Sequence, residues 1–351
     1  MDRSTTRTNN FDFLRLVAAL AVLVSHAFAL TGRAQPAVGS HELGTIGVWV
    51  FFGISGYLIA QSWTLDPTLW RFLAKRALRI FPALVTALLL TVLVIGPLFT
   101  TLRPGEYFAD VRTWSYLLEG AALRTPTELP GLFAANPYPR QVNGSLWTLA
   151  PEAWAYLAVS AVGLAGGLRR RWVAPAIAAL LVVAPHDPTG LIPWPREIWL
   201  LQAFAVGASL YVLRDRVPWH GGIALALVAA FALAPSPVQL KLAVVAIPYA
   251  AVWVGEHGPA ALRRMTPRGD YSYGIYLYAW PVGQATAAAW DGVGVAALIG
   301  VSLFVAWLLA IASWHVVERP ALNLKRALGA RPAPRAVIVA ERAHLAPADP
   351  A

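Results

Sequence analysis

The sequence predicts an all-α, polytopic integral membrane protein of about ten transmembrane helices, with both termini in the cytoplasm. Three observations carry this. Of the 351 residues, 58% are apolar and only 13% are charged, and a soluble domain needs roughly twice that charge to cover its surface. Fifteen Trp and eleven Tyr supply amphipathic aromatics suited to headgroup depth. The apolar residues also fall into runs of near-spanning length, for which about 20 residues are required, and short basic bursts separate them.

In order, the runs lie at 12–31, 46–63, 79–98, 145–166, 172–185, 196–213, 220–234, 239–256, 271–290 and 293–316. The fifth and seventh are short. The first carries Arg15 and His26 and has no A-x-A cleavage site, so it reads as a retained span and not a signal peptide. With the N-terminus inside, twenty of the 28 Lys and Arg fall in inner segments and seven in outer ones, as the positive-inside rule requires. An even count of spans returns the C-terminus to the same side.

Residues 1–326 therefore read as one membrane domain. Its long outer segment, 99–144, holds five prolines together with Tyr107, Phe108, Trp114 and Tyr116. It is expected to lie on the membrane or over a cavity mouth, since loops of this length are usually functional or disordered. The Ala/Pro/Arg-rich stretch 327–351 reads as a disordered tail. The net charge of +10 sits in bursts between apolar runs, which suits a lipid bilayer with acidic headgroups and argues against nucleic acid. With no cysteine, disulfides, thiolate catalysis and cysteine-held metal are excluded, and no metal is expected. No internal repeat of the transporter kind is evident.

Ionisable groups at membrane depth are functional candidates by default. In FDFLRLVAALAVLVSHAF, Arg15 and His26 share a helix face about three turns, or ~16 Å, apart. Asp12 lies one turn from Arg15 and can pair with it. Arg15 is either a snorkelling anchor or a site residue, and His26 either a packing histidine or a catalytic one. Ser55 and Gly56 in FFGISGYLI fall near mid-bilayer, where small residues permit close helix approach; Ser55 and Tyr57 could also meet substrate. Arg76 and Arg79 in RFLAKRALRIFP lie one turn apart at the inner mouth of the third span. They are topology signals or a fork for polyphosphate. Glu152 in NGSLWTLAPEAWAYL is placed near the depth of His26, where a carboxylate could orient an imidazole. Asn143 and Trp147 open that stretch. Tyr273 and Tyr276 in YSYGIYLYAWP either line a cavity or pack, and Glu318 with Arg319 reads as a structural ion pair at the inner interface.

Taken together and in this order, these stretches, with GVWVFFGISGYLI, AKRALRIFPAL and SWHVVERPALNLKR, resemble the integral-membrane acyltransferase-3 family. Members of that family O-acylate sugars and other extracytoplasmic acceptors. The resemblance implies that His26 is the catalytic residue and that Arg76 and Arg79, with Arg15 nearby, hold the phosphates of a cytoplasmic acyl-CoA. It matches Glu152 and Glu318 to the family's acidic positions. It further implies a seat in the bacterial cytoplasmic membrane and an acceptor that is a glycan or lipid-linked sugar; the candidate substrate contacts are Ser55, Tyr57, Asn143, Trp147, Tyr273 and Tyr276, and segment 99–144 is the candidate for shaping the acceptor site. Acetyl-CoA is the expected donor, with His26 as general base or as a transient acyl carrier. Where many relatives place a histidine after SYxIYL, this chain has Tyr278, Ala279 and Trp280. The rival reading is a transporter or flippase using the same Arg, His and Glu as a relay; a receptor or scaffold would need no buried His.

Overall fold

The computed structural model describes residues 9–183, 198–265 and 269–329. Nearly all of the predicted tail, 330–351, lies outside the described residues. The elements are α1 (Phe11–Leu30), β1 (Ala37–Val38), β2 (His41–Glu42), α2 (Leu43–Leu65), α3 (Leu69–Leu90) and α4 (Gly96–Phe99). Segment 99–144 adds α5 (Pro104–Ala109) and α6 (Val111–Ala121). Then come α7 (Leu149–Leu164), α8 (Val173–Val183), α9 (Ile198–Val212), α10 (Gly221–Leu233), α11 (Ser236–His257) and α12 (Ala260–Arg264). The chain ends in α13 (Ser272–Ala289), α14 (Val295–Ser313) and α15 (Arg319–Gly329). The two short strands form one antiparallel hairpin, so the protein is all-helical in substance.

Each of the ten predicted runs is helical. Five helices are long and apolar enough to cross a membrane: Phe11–Leu30, Leu43–Leu65, Leu69–Phe99, Val238–His257 and Val295–Leu324. Val173–Val183, Ile198–Val212 and Gly221–Leu233 are shorter apolar helices. These features define a membrane protein. Helix α13 is less apolar because it is enclosed: its residues from Ser272 to Gln284 are buried on nearly every face except at Tyr273, as in a helix surrounded by others.

One boundary differs from expectation. The third helix begins at Leu69, not near 79. Its first half mixes core and charge: Phe72 and Ile80 are buried, Arg76 and Arg79 share their inward side and line a cavity, and Arg71 and Lys75 lie nearer the rim. Charge there lowers mean hydropathy below that of a span without breaking the helix. Arg76 and Arg79 thus sit two to three turns inside α3 and not at its mouth.

Helices α2 and α9 meet backbone to backbone. A Cβ on Gly56 would lie 1.9 Å from the Phe204 carbonyl oxygen, and one on Gly207 would lie 2.1 Å from that of Gly53. Only glycine allows this approach. Close packing at Gly56, expected from its small size, is what the fold uses.

Segment 99–144 is packed, not loose. Between α3 and α4 the chain makes a π turn at Thr91–Ile95, which disturbs the regular ladder. The buried Tyr107 hydroxyl donates to the Val92 carbonyl there, at 3.0 Å. Further along, Gln284 Nε2 donates to the carbonyls of Tyr138 and Gln141, each at 2.8 Å. Asn136 Nδ2 donates to Gln284 Oε1 at 2.7 Å, and Trp280 Nε1 to the Gln141 carbonyl at 2.8 Å. Residues 136–145 are thereby tied down along α13.

Candidate active site

Between α2, α3, α7 and α13 lies a cavity of about 730 Å³, a typical size for a small-molecule site. On α2 its lining runs from Leu65 through Ser62 and Ser55 to Val48, a helix rise of ~26 Å. It is therefore long, and parallel to the helices.

Charge is concentrated toward the Leu65 end. Arg79 Nη2 stands 2.5 Å from Asp270 Oδ2, and Arg15 Nη1 lies 3.9 Å from the same oxygen and 3.7 Å from Asp12. Ser272 Oγ donates to the other Asp270 oxygen at 2.6 Å. Burial pushes the Asp270 carboxyl up, but Arg79 and Arg15 outweigh it and hold its pKa well below the ordinary carboxylate range. At the rim, Asp66 pairs with Lys75 at 2.7 Å and with Arg71 at 3.1 Å. Arg76 differs from its neighbours. Its Nη2 reaches Ser62 Oγ at 3.4 Å, and its guanidinium lies 5.7 Å from the Phe72 ring centre and 5.9 Å from that of Tyr156.

In the middle of the cavity, Glu152 accepts a short hydrogen bond from the Tyr156 hydroxyl and a longer one, 3.4 Å, from Ser55 Oγ. Tyr273 lies under Arg79, 5.5 Å from ring centre to guanidinium carbon, and its hydroxyl donates to the Ile80 carbonyl at 3.1 Å. Near the Val48 end, the Tyr276 hydroxyl is 2.7 Å from Thr148 Oγ1 and 3.0 Å from the Ser145 carbonyl.

His26 stands beyond that end. Its ring meets Trp280 edge-on with centres 4.6 Å apart, and its buried Nδ1 has no hydrogen-bond partner among the described residues. The preceding residue, Ser25, packs at Gly44, one turn past Val48, or ~6 Å farther along α2. His26 does not line the cavity. A layer about one turn thick, including Val48, Phe51, Thr148 and Tyr276, separates the two.

The placement of Glu152 corrects an expectation. It bonds at the level of Ser55, ~16 Å of helix rise from Gly44, and no hydrogen bond joins it to His26 among the described residues. The cause is the entry into α7. Asn143 Nδ2 donates to the Leu277 carbonyl at 3.0 Å, and a 3-10 turn at Leu146–Thr148 is buried against α13. The fourth predicted span therefore starts well inside the bundle, which carries Glu152 deeper.

Ser55, Tyr273 and Tyr276 line the cavity, as do Arg15, Arg76, Arg79 and Glu152. Tyr57, Asn143 and Trp147 do not: Tyr57 is packed between Phe11 and Tyr211, and Asn143 braces the α7 entry. Glu318 is buried and accepts from Ser313 at 3.1 Å, not from Arg319, which faces outward. A π turn at Trp314–Glu318 turns Glu318 inward. Sequence reasoning missed Tyr156, Ser62 and Asp270. Tyr156 could have been found, being one turn from Glu152 on the same face.

An all-helical membrane bundle with a long cavity, cationic at one end, is the class these features define. The chain belongs to the acyltransferase-3 family, whose model, described as an acyltransferase domain, matches residues 8–314. It is 31% identical over 339 residues to an O-acetyl transferase of Shigella phage Sf6, covering 89% of this chain and 96% of that protein. It is 30% identical over 375 residues to Nodulation protein 10 of Rhizobium leguminosarum bv. viciae, covering 94% and 97%. No solved structure matches the chain. The protein is an O-acyltransferase, and the enzyme reading displaces the transporter and the scaffold.

Proposed function

We propose that the protein moves an acyl group, acetyl by similarity to the phage relative, from cytoplasmic acyl-CoA to a hydroxyl of an extracytoplasmic sugar, polysaccharide or lipid-linked glycan. All ten helices cross the bacterial cytoplasmic membrane in this reading, with the Leu65 end of the cavity inside. The observation that carries it is the cavity itself: ~26 Å of helix rise, cations at one end, and an imidazole one turn past the other.

The donor's phosphates enter the cationic end of the cavity, which Arg15, Arg76 and Arg79 build together, and its arm, on the order of 15–20 Å, rises along α2 past Ser55. The layer at Tyr276 and Thr148 must open by about a turn for thioester and imidazole to meet. His26 takes the proton of the acceptor hydroxyl as the oxygen attacks the thioester carbonyl. The C–S bond then breaks, and the coenzyme A thiolate leaves and receives a proton. Segment 99–144, held along α13, shapes the acceptor side, and Glu152 balances charge in the cavity beside Arg76.

Purified protein, labelled acetyl-CoA and a surface polysaccharide test this. Wild type should label the polysaccharide, and His26→Ala should abolish transfer while still binding coenzyme A. Transfer by His26→Ala at the wild-type rate would remove the imidazole from the chemistry.

A further inference from the structure

The four cations lining the cavity are not equivalent. Lys75 is paired with Asp66, Arg79 with Asp270, and Arg15 with Asp12 and Asp270. Among the described residues, Arg76 has no carboxylate within salt-bridge distance. Among the same residues its buried Nε has no hydrogen-bond partner, and its only donor contact is the 3.4 Å approach to Ser62. A partly buried guanidinium with no directly paired carboxylate, Glu152 lying only in its wider surroundings, is costly, and a bidentate oxyanion is what satisfies its fork. Arg79, one turn away, has its best donor geometry already committed to a buried carboxylate that Ser272 also steadies.

We propose that Asp270 is a positioning residue that reserves Arg79 and Arg15, leaving Arg76 as the guanidinium that grips a phosphate of the donor. This deepens the acyl-CoA reading and rests on it. Asp270 fixes the cluster in place and keeps the cavity from carrying several unpaired cations, so an anion entering it meets one open fork and not four loose ones. Arg79 in turn neutralises a carboxylate that would otherwise repel the incoming phosphate.

The test uses the full chain in detergent and labelled coenzyme A as probe. Arg76→Lys keeps the charge but loses the fork, and should weaken binding about tenfold, the worth of a charge-assisted hydrogen bond. Arg79→Gln should weaken it by a similar factor because it exposes Asp270. Adding Asp270→Asn to Arg79→Gln should bring affinity back to within about threefold of wild type. A double variant as weak as Arg79→Gln would mean that Arg79 itself holds the donor, and unchanged binding by Arg76→Lys would equally overturn the assignment. If Arg79→Gln does not elute as folded protein, Arg79→Lys takes its place. It keeps a cation beside Asp270 and should lose less than about threefold, whereas a tenfold loss would contradict the inference. Failure of the donor reading looks different: folded wild type would then bind no coenzyme A at all.

Discussion

Glu152 shows what a single side chain reveals only in three dimensions. Its hydroxyl partners, Tyr156 and Ser55, hold it in the cavity wall, and Arg76 stacks against Tyr156. Glu152→Gln keeps the shape and a carbonyl acceptor but removes the charge opposite Arg76. Its acyl-transfer turnover is expected to fall at least about tenfold, about 1.4 kcal/mol of barrier, with little change in melting temperature. Initial rates with labelled acetyl-CoA beside a thermal melt would show this. A full rate with an intact melt would make Glu152 a packing residue. At this scale the sequence identified most of the ionisable residues and the Asp12–Arg15 pair, but not Asp270 or the partners of Glu152 and Arg79. Spacing along one helix links Glu152 to Tyr156, while nothing local links Arg79 to Asp270, 191 positions away. An acidic residue after the basic stretch Arg263–Arg264 was the available sign that a counter-charge was waiting there.

Among elements, the contact of α2 with α9 fixes the wall that the cavity follows. Gly56 permits it, so Gly56→Val must push the two backbones apart. It should destabilise the protein by about 1–3 kcal/mol, the usual cost of overpacking. Gly105→Ala, where an added Cβ meets nothing within 4 Å, is the control. Equal melting temperatures for the two variants would show that the interface yields freely. Apolar run length located every long helix, because lipid and core alike demand an apolar surface of that length. It misplaced the start of α3, where cations share the helix with core residues. It also could not foresee that α13, with its tyrosines and Gln284, would be the enclosed helix. The hairpin at Ala37–Glu42 and the short helices α5 and α6 were beyond it too, since they are fixed by tertiary bonds such as Tyr107 to Val92.

Across the whole molecule, one axis organises the chemistry. Carboxylate-paired cations lie at the Leu65 end, Glu152 midway, and His26 one turn past Val48. The sequence placed Arg15 and His26 on one stripe at a rise of ~16 Å, and that much of the axis was legible. The layer of Tyr276, Thr148 and Phe51 was not, because three separate helical regions build it. The proposed function puts donor and acceptor on opposite faces of the membrane, and sidedness is its most direct test. Protein reconstituted into sealed vesicles, with the acceptor polysaccharide inside and labelled acetyl-CoA outside, would be assayed for label on the enclosed acceptor. Wild type should acetylate the enclosed acceptor and His26→Ala should not. Label appearing only on acceptor supplied from the same side as the donor would contradict a path running through the bundle from Arg76 to His26.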